Sequence, residues 1–199
     1  GVDGVLTLDN QNLTDHGDGF KGYGPNEALV ANSIPKEDVD FRPKEGAYSL
    51  YNWELFFHAP FLIAMQLSKN QRFELAQQWF HYIFDPTITV SSDQGPERFW
   101  RVLPFFEEAK HGVQTLEALL ADTKKLEEQV RMSGAKPFNP HAIARIRIVA
   151  YMKTVVMHYI DNLLAWGDQL FARDTIESIN EATQLYILAA EILGKRPES

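Results

Sequence analysis

The sequence contains no cysteine. That single absence removes disulfides, cysteine-ligated zinc fingers, iron–sulfur clusters and thiol catalysis. A long apolar run is also missing: the longest, Phe56 to Met65, is interrupted by His58 and Pro60 and falls short of the roughly 18 residues a membrane span needs. Basic residues are scarce, with 19 Lys and Arg against 27 Asp and Glu and a net charge of −8. A sequence-blind grip on DNA or RNA is therefore excluded, since it works by replacing condensed counterions with cationic side chains. No Gly-x-Ser-x-Gly, P-loop or His-Glu-x-x-His occurs, and no Gly-x-Gly-x-x-Gly opens a helix. The opening Gly1-Val-Asp-Gly4 has neither an initiator Met nor a leader, which reads as a segment cut from a longer polypeptide.

What is present is an aromatic-rich globular chain. Its 199 residues include 13 Phe, 7 Tyr and 4 Trp, too many for a disordered polymer. A chain of this length is expected to bury roughly 70% of its unfolded surface. Composition changes near residue 46. Residues 1–46 hold seven of the 12 Gly and carry nine acids against four bases, so −5 of the −8 resides there. Pieces such as Lys21-Gly-Tyr-Gly-Pro25 read as turns. The expectation is an irregular, acidic, Gly-rich arm over 1–46 and an α-helical domain over 47–199.

From Tyr48 onward apolar residues recur every three to four positions. Trp53, Phe56, Phe57, Phe61, Ala64 and Leu67 mark a helix with a kink or break expected near His58–Pro60. Asn70 can cap a second helix carrying Phe73, Ala76, Phe80 and Ile83, stopped by Asp85-Pro86. Glu97–Lys110 is a shorter aromatic stretch interrupted by Pro104, and Val113–Met132 is amphipathic. Residues 140–172 predict one long helix or two abutting ones. Asp174-Thr-Ile-Glu177 predicts a capping box for a last helix ended by Gly194. The class is all-α, with about six or seven helices by periodicity. Ala76 with Phe80, and Ala182, Tyr186 and Ala189, repeat the small-and-aromatic spacing of tetratricopeptide-like hairpins, so stacked helical hairpins are expected.

Four groupings could carry chemistry. Glu108-Ala-Lys-His111 fits the Glu-x-x-His of di-iron bundles but occurs once, without facing glutamates; it reads as a solvated helix end, and a carboxylate–histidine metalloenzyme is the weakest of three functions considered. Glu54 and His58, four apart among phenylalanines, could form a buried acid–base pair, but a core histidine satisfied by a hydrogen bond is the ordinary outcome. His81 and His158, each beside a Tyr, read likewise. Arg145 and Arg147, followed by Lys153, form a basic stripe suited to salt bridges between segments. Gly17–Gly24 follows no strand and opens no apolar helix, so it is not read as a phosphate cradle. Asp15 and Asp18 lack the terminal Glu of an EF-hand. No catalytic, cofactor-binding or metal residue is assigned.

Longer stretches are more specific. Gly46-Ala-Tyr-Ser-Leu-Tyr-Asn-Trp-Glu-Leu-Phe-Phe-His-Ala-Pro60, Asn70-Gln-Arg-Phe-Glu-Leu-Ala-Gln-Gln-Trp-Phe-His-Tyr-Ile-Phe-Asp-Pro86, Pro137-Phe-Asn-Pro-His-Ala-Ile-Ala-Arg145 and Asp174-Thr-Ile-Glu-Ser-Ile-Asn-Glu-Ala-Thr-Gln-Leu-Tyr186 resemble, in order, the A component of bacterial insecticidal toxin complexes, the Tc toxins. Gly1–Leu6 and Pro35–Phe41 fit as well. The resemblance implies a segment of a very large secreted bacterial protein, a homopentamer whose helical shell surrounds a translocation channel and whose partners are cocoon components housing a toxic enzyme. It implies a shell position before the pore-forming helices, contact with the host membrane only through other parts of the parent, no cofactor and no catalysis. The alternative is a tetratricopeptide-like scaffold gripping a peptide in a groove lined by Asn180, Glu181, Arg145 and Arg147.

Overall fold

The computed structural model describes residues 1–11, 39–41, 48–88, 95–111 and 148–194. Eight α-helices occur among them: α1 (Val2–Val5), α2 (Leu8–Gln11), α3 (Ser49–Trp53), α4 (Ala59–Lys69), α5 (Phe73–His81), α6 (Leu103–His111), α7 (Ile148–Phe171) and α8 (Ile176–Leu193). Strand geometry among the described residues is limited to an isolated antiparallel bridge between Phe84 and Trp100. The chain is all-α, as its periodicity predicts.

The irregularity expected near Pro60 takes the form of a π turn, Glu54–His58, between α3 and α4. The amide of Ala59 reaches back five residues to the Glu54 carbonyl, and the wider turn lets the helix continue through Pro60, which has no amide to donate. Asn70 does not cap α5; it closes α4. Gln71 adopts a left-handed φ of 58°, its amide bonds to Ser68 O, and the Arg72 amide bonds to Leu67 O. These are the two bonds of a Schellman ending, with Gln where Gly is usual.

Pro104 likewise does not interrupt its helix. It occupies the first turn of α6, where a missing N–H costs nothing. The break falls earlier: a 3₁₀ turn at Pro96–Phe99 leads into extended Trp100. There Asp85 N bonds to Phe99 O and Arg101 N to Ile83 O. α7 runs unbroken from Ile148 for 24 residues. The capping box of α8 is shifted by one residue. Thr175 accepts from the Ser178 amide while Ser178 accepts from the Thr175 amide, and Asp174 takes a left-handed φ of 53° to turn the chain. Gly194, at φ 72°, ends α8 as read from the sequence. The expectations at Val113–Met132 and at Asn139-Pro140 lie outside the described residues.

Two helical pairs, α4 with α5 and α7 with α8, pack as neighbours, and α7 also touches α4, α5 and α6. Ala64, Ala76, Ala182 and Ala189 are all buried at these crossings, where short side chains let backbones approach. Between the pairs, aromatic rings form a closed circuit. Phe57 meets Phe105, Phe105 meets Trp100, Trp100 meets Phe84, Phe84 meets Tyr159, Tyr159 meets Phe80, Phe80 meets Phe61 and Phe61 returns to Phe57, with centroids 4.8 to 6.2 Å apart. Each such contact adds about 0.5–1.5 kcal/mol beyond the area it buries.

The N-terminal residues are fastened to this body at two points. Gln11, almost fully buried, donates to Arg101 O at 2.9 Å and accepts from the Leu103 amide at 2.8 Å, so it supplies an acceptor at the start of α6. Phe41 is buried against Trp53, whose indole N–H donates to the Phe41 carbonyl at 2.9 Å. Asn52 donates to the Asp40 carbonyl at the same distance.

Candidate functional site

Three places on this framework bring polar or titratable groups together. At the first, Tyr159 projects from α7 into the aromatic circuit with its ring fully buried. Its hydroxyl oxygen accepts from Gln77 Nε2 at 3.1 Å and lies 3.1 Å from His81 Nε2. With Gln77 donating, the hydroxyl proton is free to go to His81, which completes the bonding when His81 is neutral. The electrostatics agree. Burial holds His81 below its ordinary 6.5, opposed by Asp85 at 3.8 Å and reinforced by Arg101. Burial also pushes the Tyr159 phenol up to about 12. A neutral phenol sealed among Phe80, Phe84 and His81 positions helices and is not poised as a nucleophile.

At the second, Glu54 is exposed while His58 is half-buried, so the two do not make a buried acid–base pair. His58 sits instead in an aromatic nest, 4.8 Å from the Phe57 ring and 5.6 Å from that of Tyr151. His158 is exposed, edge-on to Phe61 and 3.9 Å from Asp161. Glu108 lies half-buried on α6, and the side chain of His111 lies outside the described residues. Among the described residues no three His, Asp or Glu side chains gather as a metal site.

The third is an open groove of about 400 Å³ between the first turn of α5 and the C-terminal part of α7. Arg72, Phe73, Glu74, Trp166, Arg173 and Glu181 are among its lining residues. Of the groove expected from sequence, Glu181 takes part; Asn180 does not line it, and Arg145 and Arg147 lie outside the described residues. Its two arginines and two glutamates balance in charge, which selects for no one sign of ligand.

The outer surface is more distinctive. Met157, Leu164 and Phe171 follow one another at seven-residue spacing along α7 and are 57%, 39% and 58% exposed. Seven residues are close to two helical turns, so the three share one face. A second apolar strip runs over Tyr48, Tyr51 and Leu55, all exposed. Sequence reading missed both, because an exposed apolar stripe and a buried one have the same period. No helix among the described residues is long and apolar enough to cross a membrane.

No family model matches the chain. Toxin subunit YenA2 of Yersinia entomophaga is 27% identical over 175 residues, which cover 86% of this chain and 11% of that protein. The cryo-EM structure of TcdA4 from Morganella morganii matches 84% of this chain at 28% identity and a TM-score of 0.58. The chain is a homologue of Tc toxin components. TcaA-TcaB of Yersinia pseudotuberculosis, at 24% identity and a TM-score of 0.62, shares the fold over all of this chain. The chain spans about a tenth of the length of these relatives, from 6% to 11%. The groove and the Tyr159 cluster therefore correspond to one small part of each of these relatives.

Proposed function

We propose that this chain is a structural and assembly segment of the pore-forming, toxin-translocating A subunit of a secreted Tc toxin, with no catalysis of its own. The observation that carries the reading is the exposed Met157–Leu164–Phe171 stripe on α7. α7 is the central helix of the body, its inner face already filled by Val155, Tyr159 and Leu163. A second apolar face on such a helix is the mark of a piece that packs against further protein. In this reading that further protein belongs to the same polypeptide, in keeping with a match over about a tenth of its relative's length.

In this reading the parent assembles as a homopentamer. Its partners are the other protomers and the cocoon components, and other parts of the parent meet the host membrane. The buried Tyr159 cluster and aromatic circuit make the segment a rigid wall element. The test is the particle formed by the full parent polypeptide. Native mass measurement and electron microscopy should give a five-fold helical shell with this segment in its wall, and hydrolase assays of the segment should be blank. A parent that stays monomeric under assembly conditions, or a segment that turns over a substrate, would overturn the proposal.

A further inference from the structure

We draw no further inference here: the strongest candidate, the open groove between α5 and α7, joins the first-turn N–H groups of α5, which no side chain caps, to Arg72 and Arg173 but contains, among the described residues, no buried unpartnered side chain aimed into it that would point to a ligand.

Discussion

At Gly167 a methyl group would stand 2.6 Å from Cε1 and 2.9 Å from Cζ of Tyr186. The ring of Tyr186 thus lies on bare α7 backbone, held there as its hydroxyl donates to Asp168 Oδ1 at 2.7 Å. Gly167→Ala must displace either the ring or the helix, and we expect a loss of about 1–3 kcal/mol, the usual cost of overpacking. In a Tyr186→Ala background most of that loss should vanish, because the two changes share one contact. Urea denaturation of the four members of the cycle reads this directly; additive losses would show that the close approach is not what Gly167 serves.

His81 makes a second prediction at the same scale. A histidine held below its ordinary 6.5 in the fold takes up its proton first in the unfolded chain. Stability should therefore fall as pH drops through 6.5 toward the folded value, then level off once both states are protonated. Denaturation midpoints followed downward from neutral pH should decline in the wild type, and decline less in His81→Gln. Parallel profiles for the two proteins would contradict the neutral His81 that the Tyr159 hydroxyl implies.

Among the elements, α8 has the most complete start signal. Its N-cap Thr175 and N3 Ser178 bond reciprocally, so Thr175→Ala should cost about 1 kcal/mol, and hydrogen exchange should rise in the first turn of α8 before it rises in α7. Unchanged protection there would mean that packing against α7 alone holds the helix end.

The same elements show what was legible in the sequence. Apolar spacing located α3, α4, α5, α7 and α8, because burial of Trp53, Phe80, Val155 and Ala182 dominates those segments. Boundaries were less legible, and for a local reason each time. Gln71 and Asp174 occupy left-handed positions that composition does not advertise. Pro60 and Pro104 break helices on average but are absorbed here by a π turn and a first turn. The partnership of Gln77 and His81 with Tyr159 was out of reach altogether, since 78 or more residues separate the partners and no pattern marks them. His81 is half-buried and bonded to the Tyr159 hydroxyl, whereas His158, which the sequence pattern reads in the same way, is exposed on α7.

On the scale of the whole molecule, the described residues put most of their buried polar groups to work in packing. Its most buried polar groups tie segments together: Gln11 to the start of α6, Trp53 to Phe41, and Asn162 to the Phe73 carbonyl at the head of α5. Among the described residues, Met157, Leu164 and Phe171 on α7 are apolar and face outward. If the segment is a wall element of a toxin shell, that outer face is where the wall continues. The decisive measurement places Leu164→Glu and Phe171→Glu together in the full parent polypeptide and compares its assembly with the wild type. Both side chains are exposed, so the isolated segment should keep its helical signal and melting behaviour. The particle yield should fall about tenfold or more, since burying two unpaired carboxylates in an interface costs several kcal/mol. Assembly at the wild-type level with both glutamates in place would contradict the account.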